Sequence, residues 1–264
     1  MHLAPSGKRA AGTCVVQCRT GYPHIVDATL DSIRDIQLYQ PRNGYRFSVD
    51  SLLLWDFVGV RDVRTIADLG AGSGIIGILL AKKYPKARID LFELQDVLIG
   101  LAEKNVEMNS LTDRVHIRKY DLRNLQPSQK EFVRYDLVVS NPPFRRLSSG
   151  RLNREHAVSV ARHEITLQLH ECINAASSLL RARGRLCMVY HPCRLAELLD
   201  VMRKRGIEAK RMRFVHSIPS AEAKMVLVEA VQGGRAGIKV EAPFCIYRED
   251  GGYSEEMEKI YRLS

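Results

Sequence analysis

Arg64-Thr-Ile-Ala-Asp-Leu-Gly-Ala-Gly-Ser-Gly-Ile-Ile-Gly77 decides the fold. Arg64 to Leu69 reads as a short buried strand, and Ile75 to Tyr84 carries the apolar density of a helix packed on it. Between them Gly70, Gly72 and Gly74 supply the positive φ and close backbone approach that a tight strand-to-helix turn requires. Gly72-Ser-Gly-Ile-Ile-Gly77 also satisfies G-x-G-x-x-G, so a nicotinamide or flavin site is one reading of the loop. A single match of that kind is weak, and the rest of the chain has to decide.

Outward from this loop the strand–helix rhythm continues. Arg88 to Glu93 is a second strand, with Glu93 at its C-terminal end, where a carboxylate can accept from both ribose hydroxyls of a nucleoside. Arg114 to Tyr120 is a third, ending in Asp121-Leu122. Asp121 reads either as an acceptor for an adenine amino group, with Leu122 packed beside it, or as a helix N-cap. Tyr135 to Ser140 is a fourth strand, apolar enough to be buried on both faces. His163 to Leu180 has helical spacing and is closed by Arg183-Gly184; Arg185 to Tyr190 is a fifth strand, and Leu195 to about Arg205 a further helix. Arg213 to His216 and Met225 to Val231 form a closing pair of strands. The alternation predicts an α/β doubly wound sheet, mostly parallel, with one late antiparallel strand.

The fourth strand runs into Asn141-Pro142-Pro143-Phe144. Proline lacks the N–H and fixes φ, so the sheet stops there. An amide, two rigid carbonyls and an aromatic ring are left at the strand edge where open α/β sheets bind ligands. The amide oxygen of Asn141 and the carbonyl of Pro142 can both accept from a planar –NH₂ group, and Phe144 offers a face on which a flipped base stacks. Alone, Asn-Pro-Pro is as well explained as a strand terminator; downstream of a glycine-rich cofactor loop the binding reading is preferred.

The chain has 264 residues, enough to bury a sizeable core, and its 45% hydrophobic content is ordinary for a soluble protein. No apolar run reaches transmembrane length, so no membrane partner is expected. Residues 1–29 read as a loosely ordered basic leader without an apolar signal-peptide core, and 30–264 as a single catalytic domain opened by a helical element at 30–60. The six cysteines form no metal-ligand constellation, which predicts no metal and fits reduced thiols in the cytoplasm.

Net charge is +10, from 40 basic and 30 acidic residues, and points to a polyanionic partner. Residues 145–264 hold 21 of the basic and 14 of the acidic side chains, so most of the excess lies beyond the Asn-Pro-Pro-Phe loop. Arg145, Arg146, Arg151 and Arg154 come immediately after Phe144 in a Ser/Gly-containing stretch without an acid, placed to hold phosphates beside a target base.

Asp68 before the first glycine, together with Asn141 to Phe144, resembles the S-adenosylmethionine-dependent amino methyltransferases. Gln40-Pro-Arg-Asn-Gly-Tyr-Arg-Phe-Ser-Val-Asp50, Ala161-Arg-His-Glu164, His191-Pro192, Val215-His216 and Pro243-Phe-Cys-Ile-Tyr247 are similar to elements of the bacterial tRNA-Val (adenine-37-N6) methyltransferases. The likeness runs from about Leu30 to the C-terminus and departs at Phe144, where many relatives have Tyr. It implies a Rossmann-like class I methyltransferase with a seven-stranded sheet, and S-adenosyl-L-methionine as cofactor. Asp68, Gly70, Ala71, Gly72, Gly74, Glu93, Asp121 and Leu122 would line that cofactor. Phe47, Ser48 and Asp50 would lie over its methionine end, although Ser48 reads equally well as a helix N-cap. It implies a cytoplasmic enzyme that acts on tRNA through Asn141, Pro142, Pro143 and Phe144.

Other readings use fewer of these features. A protein-glutamine methyltransferase would use the same loop on a side-chain amide, and an rRNA or DNA adenine methyltransferase would use it on another nucleic acid. A nicotinamide oxidoreductase leaves Asn141 to Phe144 unexplained, and a non-enzymatic RNA-binding protein leaves the strand-end acids idle. The oligomeric state is open.

Overall fold

The computed structural model describes residues 10–17, 23–42, 49–125, 134–142 and 167–261. Its centre is a nine-stranded sheet. Seven strands form its body: β4 (Thr65–Leu69), β5 (Arg88–Glu93), β6 (Val115–Lys119), β7 (Tyr135–Ser140), β8 (Leu180–Tyr190), β9 (Ile207–His216) and β10 (Ala223–Gln232). They lie in the order β6-β5-β4-β7-β8-β10-β9, with β10 antiparallel to both its neighbours and the rest of the pairing parallel. This is the expected arrangement. The two-residue strands β11 (Lys239–Val240) and β12 (Phe244–Cys245) add to it, both parallel to β9.

Alternation along the strands builds two cores. Leu137 and Val139 of β7, with Cys187 and Val189 of β8, face a cluster filled by α1 (Val49–Phe57), α2 (Ile75–Lys83) and part of α3 (Asp96–Met108). Met257 and Ile260 of α6 (Glu255–Tyr261) complete it. Val138, Leu186 and Met188 face the opposite cluster, filled by α4 (Leu169–Leu179) and α5 (Leu195–Lys204). Every residue of β7 is buried, as a strand covered on both faces requires.

Three expectations are corrected. The leader contains strand β1 (Ala10–Gln17), paired antiparallel with β2 (Pro23–Ile33), so its described part is sheet and not loose chain. The stretch 30–60 is not a helical element throughout, because β2 continues through a turn into β3 (Ile36–Pro41) before α1 begins. Strand β8 starts at Leu180, earlier than the Arg183-Gly184 helix stop suggested. Arg183 has φ 63°, and a Cβ on Gly184 would stand 2.9 Å from the Tyr135 carbonyl oxygen. The pair is an irregularity inside the strand, reflected in the register break between Tyr135 and Leu137.

The β1–β3 sheet docks on α3 through two asparagines. Asn105 Oδ1 accepts from the Tyr39 N–H (2.6 Å) and its Nδ2 donates to the Tyr39 carbonyl (2.9 Å). Asn109 repeats the pattern on Gln37, at 3.2 and 2.7 Å. Residues four apart on a helix are separated by about 6 Å, close to the ~6.7 Å between alternate strand residues. Two side-chain amides therefore act as the next strand and close the edge of β3. Asn105 also donates to the Ser73 carbonyl in the glycine loop (2.9 Å) and is fully buried. Asn105→Ala is expected to cost about 3 kcal/mol in urea unfolding, because it strands buried backbone groups. Asn109→Ala, at a half-buried position, should cost less than about 1 kcal/mol. Equal losses would mean that burial is not what separates the two clamps.

Candidate active site

The C-terminal ends of β4, β5, β6 and β7 lie side by side, with Leu69 in register with both Phe92 and Ser140, and Glu93 with Lys119. The sequence-predicted acids Asp68, Glu93 and Asp121, with Asn141 and Pro142, are therefore gathered along one sheet edge, where open α/β sheets bind ligands.

Gly70, Gly72 and Gly74 all have positive φ, at 70°, 59° and 88°. The loop they form is pinned to β5: the N–H groups of Gly70 and Ala71 both donate to the Phe92 carbonyl. Gly77, the last glycine of the run, is needed for a different reason. A Cβ there would fall 2.2 Å from the Leu91 side chain, so its absence lets α2 lie directly on the sheet. Gly74 caps α2 without a side chain to offer, and Asp68 reaches over from β4 to accept from the Gly77 N–H (3.0 Å) through Oδ2.

Asp68 is 1% exposed, and its Oδ1 has no hydrogen-bond partner among the described residues. Burial pushes its carboxyl up to about 7; the Gly77 N–H opposes this, and the nearby Glu93 charge adds to it. A buried carboxylate oxygen left unmatched beside a glycine loop suits a ligand that brings a cation.

Glu93 accepts three backbone N–H groups, from Leu94 and Gln95 on Oε1 (2.8 and 2.9 Å) and from Gly72 on Oε2 (2.9 Å). It thus sets the shape of the loop, and any ribose contact uses the acceptor capacity that remains. Asp121 takes the capping geometry. It accepts from the Arg123 N–H (3.1 Å), and its carboxylate is held by the Arg123 guanidinium, which draws its pKa below the usual carboxylate range. Leu122 is buried in the core that also holds Phe92.

At the end of β7, Ser140 donates to the Leu69 carbonyl (2.9 Å) and receives the Cys172 thiol (3.5 Å), tying β7 to β4 and α4. Asn141 comes next, 7% exposed, with its Nδ2 donating to the Ser51 hydroxyl of α1 (3.3 Å). Pro142 is buried beside it. Asp50 stands in the first turn of α1, one residue before Ser51. Sequence reasoning missed Ser51, whose only signal is a small polar residue at the head of the apolar run Leu52-Leu-Leu-Trp55. Pro143, Phe144, Arg145, Arg146, Arg151 and Arg154, with Phe47 and Ser48, lie outside the described residues. Among the described residues there is no cluster of His, Cys, Asp and Glu able to hold a metal, and no helix long and apolar enough to cross a membrane.

Comparison with known proteins shows the family and the fold. Residues 46–204 match the methyltransferase small domain. The chain is 31% identical over 205 residues to a tRNA1(Val) (adenine(37)-N6)-methyltransferase of Porphyromonas gingivalis, covering 75% of this chain and 79% of that one. It is 29% identical over 199 residues to the protein of the same description in Trichodesmium erythraeum, covering 74% and 81%. Among solved structures, a predicted O-methyltransferase of Agrobacterium tumefaciens superposes with a TM-score of 0.64 at 22% identity, over 80% of this chain and 95% of that chain. A Thermus thermophilus 16S rRNA N2 G1207 methyltransferase in complex with AdoMet and guanosine gives 0.52 at 19% identity, over 86% and 51%. At these identities the structures speak for the fold.

Proposed function

The chain belongs to the tRNA1(Val) (adenine(37)-N6)-methyltransferase family, within the methyltransferase small domain, and from that premise we infer that it methylates N6 of an adenosine beside the anticodon of tRNA. The observation that carries the reading is the register of β4 with β7. It sets Asn141 directly after a strand whose last residue lies opposite the start of the glycine loop.

S-adenosyl-L-methionine, when bound, supplies a methyl group already activated on a sulfonium. Asp68, Gly70, Ala71, Gly72, Gly74 and Glu93 would hold it, and the unmatched Oδ1 of Asp68 fits its ammonium group. Asp121 and Leu122 would border the adenine, and Phe47, Ser48 and Asp50 would close over the methionine end. What remains for the protein is alignment. Asn141 Oδ1 and the Pro142 carbonyl would accept the two hydrogens of the target amine, turning its lone pair out of conjugation with the ring and freeing it to attack the activated methyl group. Phe144 would offer a face for the base to stack on, and the fixed φ of Pro143 would limit the freedom of that stretch. Holding reactants in such geometry can account for about 7–11 kcal/mol of a barrier at its most effective.

The test is incubation of the protein with labelled S-adenosyl-L-methionine and total RNA from cells lacking the gene, with nucleoside analysis of the products. Label in N6-methyladenosine of tRNA is expected; label in protein, in rRNA alone or in another nucleoside would overturn the reading. Arg145, Arg146, Arg151 and Arg154 are proposed to meet tRNA phosphates. Affinity should then fall with salt by a log–log slope of about −0.7 to −0.9 per contact, and replacing two of them with Ala should flatten it accordingly. A slope unchanged in that variant would leave these arginines as solvated surface.

A further inference from the structure

With Gly70, Gly72 and Gly74 all at positive φ, the glycine loop follows no regular backbone repeat, and groups outside it must set its shape. Its first half is held from β5: the Phe92 carbonyl accepts from Gly70 and Ala71 (2.9 and 3.0 Å), and Glu93 accepts from Gly72 (2.9 Å). The second half is held from α3, where Asn105 Nδ2 donates to the Ser73 carbonyl (2.9 Å). That amide can sit in one way only. Its two Nδ2 hydrogens go to backbone carbonyls, of Ser73 and Tyr39 (both 2.9 Å), and its Oδ1 accepts the Tyr39 N–H (2.6 Å). A backbone N–H only donates and a carbonyl only accepts. Turning the amide over would therefore break all three bonds and set like against like at a fully buried position. One side chain thus holds both the cofactor loop and the edge of β3. Tyr39 packs there with Ala28, Leu98 and Leu101 in a small cluster separate from the two main cores, so much of the hold falls to the amide. We propose that Asn105 is a positioning residue for the cofactor: it fixes Ser73, and with it the second half of the glycine loop, in a place that depends on the docking of β3.

A coupling of this kind is reciprocal. If releasing Asn105 from Tyr39 loosens the loop and weakens cofactor binding, bound cofactor opposes that release by the same factor. Asn109, at the end of α3, supplies the contrast. It grips Gln37 on the same strand edge through the same pair of bonds. Its other Nδ2 hydrogen, however, goes to the Asn105 carbonyl within its own helix (2.7 Å) and not to the loop. Loss of Asn109 therefore loosens β3 without releasing Ser73, whereas loss of Asn105 does both.

The inference rests on the cofactor assigned above, and the experiment separates the two. S-adenosylhomocysteine is titrated calorimetrically into the wild type, Asn105→Ala and Asn109→Ala, with circular dichroism confirming that each is folded. Amide hydrogen exchange of the wild type is followed with and without this ligand. Asn105→Ala should bind it roughly fivefold more weakly, the worth of one hydrogen bond, and Asn109→Ala as tightly as the wild type. In the wild type, saturating ligand should slow exchange of the Tyr39 N–H by a similar factor and leave the Gln37 N–H nearly unchanged. Exchange needs no substitution, so it decides the matter if Asn105→Ala does not fold. A folded Asn105→Ala protein with wild-type affinity, an equal loss in Asn109→Ala, or a Tyr39 exchange rate indifferent to the ligand would each overturn the proposal and leave Asn105 a clamp of the fold alone. A wild-type protein that binds no S-adenosylhomocysteine would overturn the cofactor assignment instead.

Discussion

Asn141→Ala is expected to lower single-turnover methyl transfer by about 10²–10³-fold, the range seen when one preorganised polar group aimed at a reacting atom is removed. Cofactor and tRNA affinity should stay nearly intact, because the amide is proposed to act on the target nitrogen in the reactive geometry, whereas affinity is expected to come from the glycine loop and from phosphates. The fold should survive. The substitution leaves the Ser51 hydroxyl without its donor, at a cost of about 1 kcal/mol, and the Ser140–Leu69 bond that ties β7 to β4 does not involve Asn141. Phe144→Ala should also lose rate, and Phe144→Tyr should not, since the stacking face is kept. Circular dichroism checks the fold, and rates at saturating tRNA check the chemistry. A folded Asn141→Ala protein with near wild-type rate would reduce the Asn-Pro-Pro corner to a strand terminator.

The parallel half of the sheet was legible because its strands are buried on both faces and end in punctuation. The apolar blocks before Gly70, Glu93, Asp121 and Asn141 each sit within a residue of the strand found. Less legible were features that depend on distant partners. The β1–β3 sheet closes its edge with Asn105 and Asn109 of a helix some 70 positions away, and no local pattern announces an asparagine that imitates a strand. Asp121 offered two readings because capping and ligand binding demand the same acceptor; in the described structure Arg123, two residues on, holds it in the capping geometry. Ser51 was hidden for the same reason. Its hydroxyl accepts from Asn141, 90 residues away, which sequence periodicity does not connect to it.

Asp68 leads to a pH dependence with opposite signs in the free and liganded protein. Its carboxyl is raised from 3.8 to about 7 by burial, so between those values the native state holds a proton that the unfolded chain has released. Stability is therefore greatest at low pH as far as this group is concerned, falls as pH rises through the window, and levels off above about pH 7. For so buried a group the change amounts to at most about 4 kcal/mol. Asp68→Asn should remove that slope from urea unfolding curves, because an amide oxygen still accepts from the Gly77 N–H and carries no charge to desolvate. Cofactor binding should run the other way. If the Oδ1 without a partner receives the cofactor's ammonium group, binding favours the ionised carboxylate, and affinity should rise with pH until the group is fully deprotonated. At pH 6 only about one Asp68 in ten is ionised, so S-adenosylhomocysteine should bind about tenfold more weakly than at pH 8. In Asp68→Asn it should bind weakly at both. Calorimetric titration at the two pH values is the measurement. Equal wild-type affinities would show that Asp68 shapes the loop through Gly77 alone and takes no charge from the ligand.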